Sequence, residues 1–291
     1  MQPIKLALGS AQFGSDYGVS NKTGQVCPVE LRRILNSARH HSIDLIDTAI
    51  NYGSAERVLG DAGVQDFNIV TKLPSPPAGV DLDSWIELTI GESLERLRAV
   101  SLHGVLIHAP SILKGPQGAS VFGALMNLKR KGIAKKIGVS VYSPDEIYEL
   151  FSLFDFDLVQ APFNILDRRL MQSGCLDFLS KKEVEIHGRS MFLQGLLLMS
   201  EPDQCLYFPR WKRLWREWHA WLEETGIDAV EACVNFLNAY SLIDKFLVGV
   251  ERHDQLDQIV KAFDSSLSNE VPTQFSCDDL SLIDPTKWSC N

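Results

Sequence analysis

Short apolar runs alternate with amphipathic stretches along the chain. The first run, "IKLALGSAQF", reads as a strand, and "PVELRRILNSARHHS" after it carries apolar residues at helical spacing. The same pair then recurs. "IDLIDTA" predicts a second strand and "AERVLGDAG" a short helix ending near Gly63. "FNIVTKLP" and "GVLIHAP" predict strands three and four, each followed by a helical pattern, "LDSWIELTIGESLERLRAV" and "SVFGALMNLKRKG", the latter stopping at Gly132. Strands five to eight fall in "KKIGVSVY", "DLVQAPFNI", "VEIHGRSMF" and "KFLVGVE". Their helices are "PDEIYELFSLF", "LMQSGCLDFLSKKE", "AVEACVNFLNAYSL" and "QLDQIVKAF". Pro28 and Pro144 suit first helical positions, where a missing N–H costs nothing. After strand seven comes a helix-rich insertion, "RWKRLWREWHAWLEET".

Eight strand–helix units in alternation imply a parallel sheet with helices outside, and eight is the number that closes a (β/α)8 TIM barrel. An open doubly wound sheet is the alternative. The pattern shows no linker, so the expectation is one α/β barrel domain over residues 1–291, with 264–291 a tail whose sequence carries no clear periodicity. The tail could fold over the barrel mouth or pack on its outside. The 45% hydrophobic content is ample for a large core.

Charge and cysteine usage narrow the function. A formal charge of −9, dispersed along the chain, argues against general nucleic-acid binding, which needs a basic face. The six cysteines show no metal-ligand spacing. The N-terminal "MQPIKLALGSAQFG" is no secretory signal, and no apolar run approaches a membrane span. The expectation is a reduced, cytoplasmic protein without a metal, acting on a small molecule and on neither nucleic acid nor membrane.

In a TIM barrel the active site lies at the C-terminal strand ends. There the second strand ends with Asp47, followed by Tyr52 in the loop; the third ends with Lys72, and the fourth with His108. Taken singly, each has a plainer reading: a loop-holding carboxylate, a packing tyrosine, a solvated lysine, a rim histidine. At consecutive strand ends they form a set. Asp47 can pair with Lys72, compensating two charges that are costly to bury alone. The lysine then stands near the Tyr52 phenol and favours its phenolate, which suits Tyr52 to donate a proton to a developing alkoxide. His108 can orient the carbonyl. The set fits carbonyl reduction.

"DLIDTAINYGSAERVLG", "IVTKLP" and "GVLIHAP" resemble the catalytic segments of the aldo-keto reductase family, a TIM-barrel family using NADPH, less often NADH, with an Asp–Tyr–Lys–His tetrad. The resemblance runs from about Leu6 to about Phe263, and Asp47, Tyr52, Lys72 and His108 match all four members. It implies that Ser10 and Ala11 lie near the nicotinamide, together with Asp47, and that Ser140 and Gln160 hydrogen-bond its carboxamide. It implies that Ser190, Phe192, Gln194 and Gly195 wrap the pyrophosphate, and that Gly249, Glu251 and Gln255 meet the adenosine end.

Several positions depart from the family. Val141 stands where an Asn is common, and Arg189 where an aromatic stacks on the nicotinamide. Gln255 and Ile259 replace polar or charged contacts at the adenosine end, leaving Arg252 as a substitute cation for a 2′-phosphate. The expectation is NADPH, with NADH as the contender. Arg189 could stack on a π system or grip an anionic substrate group, or simply sit in a salt bridge at the rim. Trp211, Trp215, Trp218 and Trp221 fall on one helical face of the insertion; one or two could line the substrate pocket.

The reading is an NAD(P)H-dependent oxidoreductase that reduces an aldehyde or ketone, with a sugar or sugar derivative suggested by the resemblance to bacterial members of polysaccharide pathways. The alternative is a cofactor-binding regulatory or scaffold protein with little turnover. A Schiff-base lysine is a weaker third reading, because Asp47 would hold Lys72 charged.

Overall fold

All eight predicted strands form, and each pairs in parallel with its sequence neighbours. The computed structural model describes residues 5–264 and 271–288. The strands are β1 (Leu6–Gly9), β2 (Leu45–Asp47), β3 (Asn68–Leu73), β4 (Leu102–Ile107), β5 (Ala134–Ser140), β6 (Leu158–Pro162), β7 (Glu185–Arg189) and β8 (Lys245–Gly249). The ring closes where β1 pairs with β8, in the register Leu6 opposite Phe246 through Gly9 opposite Gly249. The open-sheet alternative is thereby excluded.

Around the barrel stand α1 (Ala11–Gly14), α2 (Pro28–His40), α3 (Ala55–Ala62), α4 (Leu82–Leu97), α5 (Gly118–Arg130), α6 (Pro144–Leu153), α7 (Arg169–Gln172) and α8 (Cys175–Lys181). After β7 come α9 (Glu201–Tyr207), α10 (Lys212–Thr225) and α11 (Ala229–Asn238); α12 (His253–Asp264) follows β8, and α13 (Leu280–Ile283) lies in the tail. Local chemistry sets the helix starts. Pro28 and Pro144 occupy first-turn positions. Asp81 and Ser143 accept from the backbone N–H groups of Ser84 and Glu146, and Asp228 with Glu231 forms a full capping box.

The period-2 alternation of strands positions the site. Ala7, Leu45, Val70, Leu106, Leu158 and Leu247 form a small apolar cluster separate from the main core. Two residues further along these strands, on the same inner face, come Asp47, Lys72, His108, Gln160 and Gly249. A plug of aliphatic side chains thus floors a layer of polar ones. The rest of the core lies between sheet and helices.

At the opposite end of β7, Glu185 accepts hydrogen bonds from His103 and His187 and pairs with Lys136. Burial alone would raise its carboxyl; these partners hold it well below the usual carboxylate range.

The insertion and the tail pack on each other. Trp215 and Trp218 of α10 are buried. The Phe275 ring stands edge-on to Trp218 at 5.5 Å and lies 5.7 Å from Trp221, while Trp288 meets Phe208 at 4.8 Å. The tail also ties to the loop after β6, where Cys277 N donates to Leu166 O at 2.8 Å. Residues 271–288 therefore lie against the insertion and this loop. Cys290 lies outside the described residues. Among those residues, no helix is long and apolar enough to cross a membrane, and no group of three or more His, Cys, Asp or Glu side chains is placed to hold a metal.

Candidate active site

The inner-face polar layer opens into a cleft of about 440 Å³ at the C-terminal strand ends. At its deep end, Lys72 is fully buried and makes three polar contacts with its ammonium. Nζ donates to Asp47 Oδ2 at 2.6 Å, to the Thr48 carbonyl at 2.8 Å and to the Tyr52 phenol oxygen at 3.5 Å. A lysine has three donors and cannot accept. The Tyr52 proton is therefore not used on Lys72 and is free to face the cleft. Burial alone would lower the Lys72 pKa; the charge of Asp47, with Tyr52, outweighs it and leaves the ammonium above its ordinary range. Asp47 is completed by Gln160, whose Nε2 donates to Oδ1 at 2.7 Å.

His108 stands edge-on to Tyr52, with ring centroids 5.8 Å apart. Its imidazole has no hydrogen-bond partner among the described residues. Burial, then the charge of Lys72, pushes its pKa down to about 4. It is a neutral donor near pH 7, whichever ring nitrogen carries the proton. Asp47, Tyr52 and His108 line the cleft, and Lys72 lies beneath its floor.

The structure brings the residues that the resemblance assigned to a dinucleotide to this cleft. Ser10 and Ala11 lie just past β1, Ser140 ends β5, Gln160 lies in β6 and Arg189 ends β7. Ser190, Phe192, Gln194 and Gly195 lie in the loop after β7; Gly249, Glu251 and Gln255 close the far end. Arg252 also lines that end, paired there with Asp254 at 2.8 Å. Gln255 Oε1 accepts from the backbone N–H groups of Glu251 and Arg252, so it holds the turn into α12. Glu251 accepts from Thr23 Oγ1 at 3.1 Å.

The unused polar groups describe what the cleft can hold. Ser10 Oγ is buried without a partner. The Ser140 hydroxyl and Gln160 Oε1 also have none among the described residues, a donor–acceptor set that suits a carboxamide. In the loop after β7, Ser190, Leu193 and Gln194 adopt φ of 63°, 48° and 55°, and Gly195 follows at 85°. The N–H groups of Met191, Phe192, Gln194 and Gly195 bond nothing among the described residues, although all four residues line the cleft. Backbone N–H groups left free beside a cleft suit a pyrophosphate. A dinucleotide thus fits the donor set.

Two expectations change. None of Trp211, Trp215, Trp218 or Trp221 lines the cleft, because the indole face of α10 is taken up by packing, including the tail's Phe275. Arg189 makes no rim salt bridge: among the described residues no carboxylate lies within ion-pair distance. Its guanidinium lies 4.2 Å over the Tyr142 ring.

Sequence reading missed Gln12, Tyr17, Ser20, Tyr142 and Met191, which also line the cleft. Tyr17 is 40% exposed, and its phenol oxygen accepts from Gln194 Nε2 at 3.4 Å. Gln12 lies in the single turn of α1 and the others in loops without periodicity. Their one available signal was adjacency to strand ends, as in "GSAQFGSDYG" after β1.

The aldo/keto reductase family model matches residues 5–276. A D-threo-aldose 1-dehydrogenase of Pseudomonas sp. is 26% identical over 302 residues, covering 88% of this chain and 91% of that protein. The D-arabinose 1-dehydrogenase of Saccharomyces cerevisiae is 29% identical over 152 residues, 49% of this chain and 44% of that protein. Among solved structures, the holo form of an aldo-keto reductase from Bacillus halodurans superposes with a TM-score of 0.72 at 20% identity, covering 93% of this chain and 90% of that one. A closed eight-stranded barrel, the Asp47–Lys72–Tyr52–His108 cluster at its C-terminal strand ends and the match over nearly the whole length place the chain in the aldo/keto reductase family of carbonyl oxidoreductases.

Proposed function

We propose that the protein is an NAD(P)H-dependent reductase of an aldehyde or ketone, with Tyr52 as the proton donor. The observation that carries this is the Lys72 ammonium, whose three contacts go to Asp47, Thr48 and Tyr52 and leave the phenol proton facing the cleft. A carbonyl oxygen between Tyr52 and His108 receives hydrogen bonds from a phenol and a neutral imidazole. The dinucleotide supplies the hydride when bound. As negative charge develops on the oxygen, Tyr52 gives up its proton, and the fixed Lys72 charge favours the phenolate left behind. Asp47 keeps the lysine charged and in place, and Gln160 keeps Asp47 oriented.

The donor set at Ser140 and Gln160 supports a carboxamide there, and the free amides of Met191, Phe192, Gln194 and Gly195 support a pyrophosphate. On this reading NADPH is the cofactor, with NADH the contender, and Arg252 is the cation available to a 2′-phosphate. Its pair with Asp254 is solvent-exposed, and such pairs are weak enough to exchange. The sugar dehydrogenases among the relatives support a sugar or sugar derivative as substrate. The cleft also holds a phenol at Tyr17 and amides at Gln12 and Gln194 that can bond hydroxyl groups.

The test is titration of the protein with NADPH and with NADH, followed by turnover on aldehydes and keto sugars beside Tyr52→Phe. Removing the phenol proton should lower kcat by roughly a hundredfold to ten-thousandfold while dinucleotide affinity is retained. Binding without turnover on any carbonyl would favour a regulatory role. No binding of either dinucleotide would refute the cofactor reading.

A further inference from the structure

Arg189 is a charged group of the cleft that the proposed chemistry leaves without a task. It ends β7 on the inner face, two residues beyond the buried His187. Its Nη2 donates to the Val141 carbonyl at 3.1 Å, and Nη1 to Ser190 Oγ at 3.3 Å. Its face is stacked on Tyr142. The guanidinium is thus fixed in place by neutral groups. A partly buried cation with no counter-charge is costly to keep. Lys72, the other cation at this end, is neutralised by Asp47. The deep end of the cleft therefore carries one surplus positive charge, and it is felt there: Arg189 lowers the pKa of His108, though less than burial and Lys72 do.

Strand order indicates what passes beside it. In the ring β7 adjoins β8 and stands across from β3, which carries Lys72. The free amides of Met191, Phe192, Gln194 and Gly195 follow β7, and the turn holding Glu251 and Arg252 follows β8. A dinucleotide laid along these groups, with its reactive ring at Tyr52, must cross the Arg189 end of the cleft. A substrate carbonyl at Tyr52 and His108 lies on the β2–β4 side instead. This favours a cofactor role for the guanidinium over an anion-gripping one.

The consequence is electrostatic. Passing a hydride to a carbonyl carbon adds one positive charge to the nicotinamide ring, while the carbonyl oxygen takes a proton from Tyr52 and becomes a hydroxyl. The reduced ring is neutral and the oxidised ring is a cation. Resting on the dinucleotide reading above, we propose that Arg189 discriminates between the two redox forms of the cofactor: it disfavours the oxidised form, makes the protein hold the reduced form more tightly, and biases the site towards carbonyl reduction. An aromatic residue at this position would stack on either form without opposing the charge.

The experiment measures dissociation constants for both redox forms of NADP(H) and NAD(H), by fluorescence for the reduced forms and calorimetry for the oxidised ones. Wild-type, Arg189→Met and Arg189→Lys proteins are compared. A fixed charge at this range acts on the difference between the forms, whatever it does to overall affinity. The wild type is expected to bind the reduced form about tenfold more tightly or better. Arg189→Met should shrink that preference about tenfold, and Arg189→Lys by less. A wild-type ratio near one would overturn the proposal without any variant. So would an unchanged ratio in Arg189→Met; a rise in KM confined to anionic carbonyls would then assign the guanidinium to the substrate. Failure to bind either redox form would instead remove the dinucleotide reading on which the proposal stands.

Discussion

Lys72 has no freedom left: its three contacts hold Asp47, the backbone at Thr48 and the Tyr52 phenol in one arrangement. The sequence made this pairing legible, because a charge interrupting an apolar strand must be compensated. It could not show that Gln160, four strands beyond Asp47, completes that carboxylate, nor that the Val141 backbone serves Arg189 where the Val141 side chain cannot. His108 gives a prediction at this scale. Its pKa of about 4 in the folded protein lies below the value of about 6.5 usual for an unfolded histidine. The neutral ring therefore contributes stability that is fully present above about pH 6.5 and is lost as pH falls towards 4. NMR titration of the imidazole should find the low value, and His108→Gln should flatten stability between those limits. An imidazole titrating near 6.5 would contradict the burial described for it.

The loop after β7 is the element that lines one side of the cleft with unbonded backbone N–H groups. Three non-glycine residues take left-handed backbone angles there, a cost of order 1–3 kcal/mol each that persists only where the surroundings enforce it. The sequence "RSMFLQG" carries no sign of those angles except Gly195, so only its resemblance to a pyrophosphate-binding segment pointed there. Gly195 is needed twice over. Its φ is 85°, and a Cβ would come within 1.8 Å of Ser20 Oγ. Gly195→Ala should cost roughly 1–3 kcal/mol in chemical denaturation and weaken dinucleotide binding. Adding Ser20→Gly should recover only part of the loss, because the backbone strain remains. Full recovery would show that the contact with Ser20 was the whole effect.

For the whole molecule, barrel and outer layer divide the labour. Trp211 and the three indoles of α10 looked available to the cleft because their spacing puts them on one helical face, but that face is covered by packing that includes a residue more than fifty positions away. Phe275 is fully buried, so Phe275→Ala should cost about 3–5 kcal/mol in unfolding measurements. Dinucleotide affinity should stay unchanged, since no residue from 271–288 lines the cleft; a loss of affinity would show that the tail supports the site. By itself the sequence determined eight alternating strand–helix units, the helix starts marked by Pro28 and Pro144 and the candidate set Asp47, Tyr52, Lys72 and His108, because periodicity, proline positions and polar groups at strand ends are local signals; that the sheet closes into a barrel was decided by the pairing of β1 with β8. Only the tertiary structure decided which polar groups stay free, that Arg189 stands without a counter-charge, and that the tryptophans turn away from the cleft. Each of those depends on which distant segment fills the space beside it, and chain order does not encode that locally.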